Sequence, residues 1–210
     1  MKLIVDNDGL KRILQGLQRT LFATAVLLFG WCAFVVVDTW AFQQRESRHL
    51  DLLLASNQPA ASALASSTVD IPSSAWPVAL ANDVIGRMDV PRLELTAIVV
   101  EGTSSSAMRR AVGHISGTAL PGETGNVGIS GHRDTFFRPL RHVQKEDLIT
   151  LTTLRGQYRY RVISMQIVEP TDIEVLDPTT DEVLTLVTCY PFYYVGAAPE
   201  RFIVRARRVH

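Results

Sequence analysis

The pattern of hydrophobic and polar positions divides the chain into two parts. Residues 21–37 form a run of seventeen residues without a charge, and the flank up to Phe42 extends it towards the roughly 20 residues that span a bilayer. Basic residues precede this run, whereas Asp38 follows it directly. Because basic segments tend to stay in the cytoplasm, the pattern predicts a cytoplasmic N-terminus (1–20) and a single transmembrane anchor (21–42), with residues 43–210 extracytoplasmic.

A cleaved signal peptide is the main alternative for this segment. The apolar run is long for the hydrophobic region of a signal peptide, and no small-x-small cleavage site follows it closely. Lipid attachment at Cys32 is also disfavoured, because Trp31 precedes it where a small residue is expected. We therefore expect an uncleaved anchor, in which Cys32 is a small apolar residue within the membrane.

Residues 43–83 are predicted to connect this anchor to a folded domain. Residues 43–57 are charged and then leucine-rich, which indicates that the membrane helix continues for a few turns. Residues 55–78 are mainly Ala, Ser and Pro with almost no charge, so they bury too little apolar surface to fold by themselves. This segment is interpreted as a linker that holds the domain away from the bilayer.

From about Val84 onward, short runs of alternating hydrophobic and polar residues are separated by Gly and Pro. Such alternation with β-branched residues predicts half-exposed strands. The runs cover residues 93–99, 126–130, 148–154, 157–168, 183–188 and 202–209, with helical turns at 104–112 and 135–142 between them. The pattern is typical of an all-β domain of seven or eight short strands, either a closed barrel or a sandwich.

The charge of the chain is balanced, with 21 basic and 21 acidic residues, and residues 84–210 alone carry 15 against 14. This excludes the strong basic field that nucleic-acid-binding proteins carry, and no nucleic-acid partner is expected. The cluster Arg205, Arg207 and Arg208 is interpreted as a solvated strand face. The acidic loop over 169–182 is likewise interpreted as solvated. No zinc-spaced cluster or phosphate-binding glycine loop occurs, so no metal or cofactor is predicted.

The two cysteines, Cys32 and Cys189, are not expected to pair, since one lies in the membrane segment and the other in the folded domain. A domain of this size buries an adequate core without a disulfide. A lone thiol is unusual in an extracytoplasmic domain, where cysteines are commonly paired. Its position at the end of the 183–188 run indicates that Cys189 is kept for chemistry.

Cys189, His132 and Arg201 together provide the groups that acyl transfer through a thioester requires. A thiolate attacks the carbonyl carbon, an imidazole protonates the departing amine, and a guanidinium stabilises the oxyanion. If the short connection from Tyr190 to Glu200 joins neighbouring antiparallel strands, Cys189 and Arg201 lie side by side. The sequence does not locate His132 relative to them.

Other residues compete for these roles. His142 lies in an amphipathic turn with charged neighbours and is interpreted as a surface residue, and His114 lies in a Gly-rich loop that offers it no partner. Arg205 is the alternative to Arg201 but is displaced into the strand, farther from Cys189.

Here the chain resembles the sortases, membrane-anchored cysteine transpeptidases of the bacterial cell surface. The resemblance covers residues 84–210 and rests on Gly131-His132, on Thr-Leu-Val-Thr-Cys at 185–189 and on Arg201. Further landmarks lie at residues 90–93, 100–103 and 121–126. One departure is Lys145-Glu146-Asp147, where many relatives have Gly before the Asp. The short 190–200 connection and the single N-terminal anchor are most similar to class D.

The resemblance implies a closed eight-stranded β-barrel as the catalytic domain and a Cys189, His132, Arg201 site. Cys189 would attack the threonine carbonyl of an LPXTG-like sorting signal, His132 would move the protons, and Arg201 would steady the oxyanion. An amine acceptor, either a cell-wall peptide or a pilin lysine, would then resolve the thioacyl enzyme. Thr188 and Gly131 flank this site and are candidates for substrate binding, although packing and turn geometry explain them as well.

Two other functions remain open at this stage. An extracytoplasmic cysteine peptidase would use the same residues but hand the acyl group only to water. A non-catalytic envelope scaffold would bury Cys189 as a passive core residue, with an unreactive thiol.

Overall fold

The computed structural model describes residues 7–64, 83–194 and 196–209. The chain divides into two compact units, Met1–Ala41 and Phe42–His210. The first unit contains most of the N-terminal helix, and the second contains the end of that helix and all of the strands.

Helix α1 spans Asn7–Leu64 and carries the apolar run near its middle. The large apolar side chains of this run are exposed, and none of the most apolar window is buried, so the helix is long and apolar enough to cross a membrane. The prediction of an N-terminal apolar helix is confirmed. The helix also continues to Leu64, into the segment predicted as a linker from Ala55. The remainder of that linker, residues 65–82, lies outside the described residues.

Eight strands close into one barrel, as the all-β prediction required. Their order around the barrel is β1-β2-β3-β4-β7-β8-β6-β5. In chain order, the strands are β1 Val84–Val90, β2 Leu95–Glu101, β3 Val112–His114, β4 Asn126–Ser130, β5 Leu148–Thr153, β6 Gly156–Val168, β7 Val183–Tyr190 and β8 Glu200–Val209.

Six of these strands match the predicted runs to within two residues at each end, whereas β1 and β3 match no predicted run. Strand β1 contains Gly86, Arg87 and Asp89, which interrupt the alternation of hydrophobic and polar residues that predicts a strand. Strand β3 has only three residues, and the predicted helical turn at 104–112 overlaps its start. The helix there, α2, is confined to Ser105–Arg110, and the second predicted turn is a short 3₁₀ helix, Arg138–His142.

Alternation along β7 and β8 sorts side chains between the barrel core and its outer surface. Leu184 and Leu186 on β7, and Val204 and Ala206 on β8, are buried in the core cluster. Since successive side chains of a strand point to opposite faces, the odd-numbered positions point outwards. Cys189 and Arg201 are both at odd-numbered positions, so the core packing turns them to the outer face.

The end of α1 that belongs to the second unit packs on the barrel. The Gln43 side chain accepts a hydrogen bond from the Ile98 backbone N–H at 2.9 Å and donates one to the Arg110 carbonyl at 2.6 Å. Phe42 packs against a small buried cluster that includes Ile98, and Leu50 is 3% exposed. These contacts, all within the second unit, attach the part of α1 from Phe42 onward to the strands.

Candidate active site

Cys189 and Arg201 are direct partners in the antiparallel register of β7 and β8. Side chains at directly opposed positions lie on the same face, with Cβ atoms about 4.5–5.5 Å apart. Both residues are half-buried, and Cys189 is a free thiol. The structure therefore brings together the two residues that the sequence expected to be neighbours.

His132 reaches the same end of the barrel through strand β4. Strand β4 runs parallel to β7 and pairs with it as far as Ser130 and Val187. The Gly131 backbone N–H then donates to the Val187 carbonyl at 3.1 Å, which extends the pairing by one residue. Continuing this register places His132 level with Cys189, on the side of β7 opposite to Arg201. The His132 side chain is exposed.

A hydrogen bond between Thr188 and Gly131 links β7 to the end of β4 beside Cys189 and His132. The Thr188 hydroxyl donates to the Gly131 carbonyl at 2.7 Å, and Thr188 is 2% exposed. A Cβ on Gly131 would lie 2.7 Å from the Phe137 ring, so only glycine fits there. Their polar groups are thus engaged within the fold, and contact with substrate stays a prediction for both.

A cluster of three half-buried aromatic residues lies at the ends of β7 and β8 that carry Cys189 and Arg201. Tyr190, Phe192 and Phe202 pack with ring centroids 5.4–6.2 Å apart. Aromatic pairs at such distances add to the stabilisation from their buried area. This aromatic packing therefore stabilises the strand ends that carry the thiol and the guanidinium.

The Arg201 guanidinium is oriented by backbone carbonyls at the start of β8 and just before it. Its Nη1 donates to the carbonyls of Glu200 at 2.9 Å and Ala198 at 3.3 Å. Arg205, the alternative cation, pairs in register with Thr185, four positions from Cys189 along β7. The structure therefore brings Arg201, and not Arg205, to the thiol.

Arg133 is a contributor to the site that the sequence reasoning did not identify. Its side chain donates to the carbonyls of Pro191, Tyr194 and Gly196 in the segment between β7 and β8. The only signal in the sequence was its position directly after His132. Contacts made across 58 or more residues of chain leave no local pattern to recognise.

His114 has a structural environment that differs from the expected one. It ends β3 and is 2% exposed, so the interpretation as a loop residue without a partner was wrong. Its Nδ1 lies 2.6 Å from Glu101 Oε2, and its Nε2 lies 3.0 Å from both the Ala119 carbonyl and the Thr118 hydroxyl. His142 is exposed, as expected, and accepts a hydrogen bond from Arg141.

The 145–147 departure is accommodated by the backbone. Glu146 adopts the left-handed conformation, with φ of 72°, a region that glycine enters at lower cost. The next residue, Asp147, is buried and receives hydrogen bonds from both Arg92 Nε and Arg92 Nη2. These bonds, together with one from the Gln144 backbone, lower the pKa of Asp147 against the opposing effect of burial.

One cavity in the described part of the structure lies away from these residues. It has a volume of about 520 Å³ and is lined by Arg205, Arg207 and the end of the β6–β7 loop, residues 178–181. Neither Cys189 nor His132 borders it. In the described parts of the chain, no three His, Cys, Asp or Glu side chains group closely enough to hold a metal ion.

The fold and these residues match known proteins. The sortase domain family model matches residues 88–209. The chain is 31% identical to Sortase D of Bacillus subtilis (strain 168) over 191 residues, which cover 90% of this chain and 96% of that protein. It is 32% identical to Sortase A of Listeria monocytogenes over 110 residues, about half of each chain.

Solved structures match as well. A Clostridium perfringens Sortase D5 transpeptidase superposes with a TM-score of 0.57 at 30% identity, covering 61% of this chain and 81% of that one. A sortase C from Clostridium perfringens SM101 gives a TM-score of 0.58 at 26% identity, covering 78% and 90%.

Proposed function

Because this chain belongs to the sortase family of cysteine transpeptidases, we propose that it cleaves an LPXTG-like sorting signal and transfers the acyl part to an amine through a thioester at Cys189. The observation that carries the proposal is the register pair of Cys189 and Arg201 on the outer face of the barrel. The continuation of β4 towards His132 on the other side of β7 supports it.

In the acylation half of this mechanism, Cys189 passes its proton to His132 and attacks the threonine carbonyl as a thiolate. The new S–C bond gives a tetrahedral oxyanion, and the permanently charged Arg201 stabilises it. His132 then returns its proton to the amide nitrogen, the C–N bond breaks, and the C-terminal part of the signal leaves as an amine. The acyl part stays on Cys189 as a thioester.

In the second half, an amine acceptor occupies the place of the departed amine. It attacks the thioester carbonyl and gives up a proton to His132, and Arg201 again faces the oxyanion. The C–S bond breaks, an amide joins the two peptides, and the Cys189 thiolate takes back a proton from His132, which restores the starting state. The acceptor is either a cell-wall peptide or a pilin lysine, and the likeness to Sortase D does not decide between them.

The N-terminal helix gives the proposed enzyme its location. Its exposed apolar run fits an uncleaved single membrane span, with basic residues on the cytoplasmic side. Residues 43–210 would then face the extracytoplasmic space, where secreted proteins carrying sorting signals emerge. All three proposed catalytic residues belong to that part of the chain.

The test uses the full chain in detergent micelles with a library of LPXTG-like peptides, in the presence and absence of oligoglycine or a lysine peptide. Mass spectrometry should detect an acyl adduct on Cys189 and, with amine present, a ligated product. A Cys189→Ala protein is the matched control and should form neither. A folded wild type that gives no adduct and no cleavage with any peptide would overturn the proposal.

The same experiment separates the two alternatives. Cleavage with only water as acceptor, whichever amine is supplied, would identify a hydrolytic peptidase. A thiol that reacts with a small thiosulfonate no faster than an unfolded cysteine, together with no turnover, would favour a scaffold.

A further inference from the structure

Arg133 binds three backbone carbonyls of the segment that joins β7 to β8. Its Nη1 donates to the Pro191 carbonyl at 3.1 Å, and its Nη2 donates to the carbonyls of Tyr194 at 2.7 Å and Gly196 at 3.0 Å. The guanidinium carbon also lies 5.8 Å from the centre of the Tyr194 ring. One side chain thus holds the described residues of this segment, 191–194 and 196–199, at several points.

These bonds suit an arginine and no other side chain. Hydrogen bonds from a charged donor are roughly twice as strong as neutral ones, and only the planar guanidinium presents several N–H groups in a fixed fork. Within the described part of the chain, Arg133 makes no ion pair that would compete for these donors. Its charge is therefore directed at the loop backbone.

A second arginine supports the same segment more weakly. Arg141, which like Arg133 lies in the connection from β4 to β5, is 5.4 Å from the Tyr193 ring centre. Tyr193 is 75% exposed, and contacts of this kind at exposed sites contribute only about 0.5–1 kcal/mol. The hydrogen bonds from Arg133 to the backbone carbonyls are therefore the main contacts that hold this segment.

The three proposed catalytic residues flank the groups that make these contacts. Arg133 directly follows His132, and the bound segment starts two residues after Cys189 and ends two residues before Arg201. The Arg201 guanidinium in turn donates to the Ala198 carbonyl within that segment. A shift of the segment would change the orientation of Arg201 and the distance between Cys189 and His132 together.

We propose that Arg133 is a positioning residue, which fixes the β7–β8 segment to the backbone beside His132 and so sets the geometry of Cys189, His132 and Arg201. This inference rests on the proposed function for its catalytic consequence. It predicts that loss of the guanidinium lowers the rate of the chemical steps and leaves peptide binding and folding largely intact, because a misplacement near 1 Å costs about 10²-fold in rate.

The test compares Arg133→Ala and Arg133→Lys with the wild type, in the full chain in detergent. The matched control is Arg138→Ala, since Arg138 is an exposed arginine of the same connection. We expect kcat to fall about 10²-fold in R133A with KM changed less than about threefold, a smaller loss in R133K, and recovery of R133A by added methylguanidinium. R138A should match the wild type, and melting temperatures show whether each variant is folded.

The rate of Cys189 labelling by a small thiosulfonate as a function of pH is the second readout. A positioning role predicts that R133A changes this pH profile, because the contact between thiol and imidazole is altered. An unchanged profile and an unchanged kcat in folded R133A would overturn the inference. If the wild type turns over no peptide, the proposed function fails, while the labelling profile still decides the role of Arg133.

Discussion

Cys189 and Arg201 are directly opposite each other in the β7–β8 ladder, one pair before its last, Tyr190 and Glu200. The backbone of each residue is fixed by strand pairing and by the core residues beside it. The barrel thus presents a thiol and a permanent cation at a defined spacing.

Replacement of Arg201 tests whether that cation stabilises the oxyanion. We expect Arg201→Ala to lower kcat by about 10²–10³-fold, the effect of losing an oxyanion donor. Arg205→Ala is the control, since Arg205 is on the same strand and face but pairs with Thr185. Steady-state kinetics with a cleaved peptide measure both. Equal losses in the two variants would indicate a general effect of charge and contradict the assignment.

Replacement of His132 tests the proton-transfer role. His132→Ala should lower kcat/KM by about 10²–10⁴-fold, and the residual activity should lose its bell-shaped dependence on pH, because neither the thiol nor the leaving amine then has its proton-transfer partner. His142→Ala should retain the wild-type profile, since His142 is an exposed surface residue. A bell-shaped profile that persists in H132A would show that another group transfers the proton.

Sequence patterns predicted those contacts of the site that form between residues close together in the chain. Cys189 and Arg201 are joined by an eleven-residue connection, so their pairing as a hairpin could be expected from the sequence. His132 could not be located in the same way. Its position depends on the parallel pairing of β4 with β7, two strands separated by more than fifty residues of chain.

Contacts distant in sequence account for the remaining differences. Strand β3 is three residues long and is defined by its pairing with β2 and β4. It is too short for an alternation of hydrophobic and polar residues to predict it. His114 consequently appeared to lie in a loop, although strand pairing brings it to Glu101. The role of Arg133 was not predicted for the same reason, because its hydrogen-bond acceptors lie 58 or more residues away in the chain.

The buried contact between His114 and Glu101 yields a prediction about stability. His114→Ala should lower the free energy of unfolding by about 3 kcal/mol, because Glu101 then lacks its buried partner. Ser116→Ala, which removes only an exposed hydroxyl from Glu101, should cost less than about 1 kcal/mol. Denaturant unfolding in detergent measures both. An H114A protein of normal stability that has lost activity would instead point to a catalytic role for His114.

The contact between Arg92 and Asp147 yields a prediction about pH. Hydrogen bonds from Arg92 hold the pKa of Asp147 below its value of about 4 in the unfolded chain. A depressed carboxyl pKa adds stability above the unfolded-state value, and this is lost as pH falls through the folded-state value. The melting temperature of the wild type should therefore fall more steeply between pH 5 and 3 than that of Asp147→Asn, which cannot titrate.

Asp181→Asn is the matched control for this experiment. Asp181 is exposed, and its carboxylate lies 3.6 Å from Arg207, a spacing at which surface ion pairs contribute little. Its melting curve should run parallel to that of the wild type across the same pH range, with the two proteins differing by a constant offset at most. A D147N protein that loses stability in acid as steeply as the wild type would show that other carboxylates govern the acid transition and that Arg92 does not protect the ionised form of Asp147.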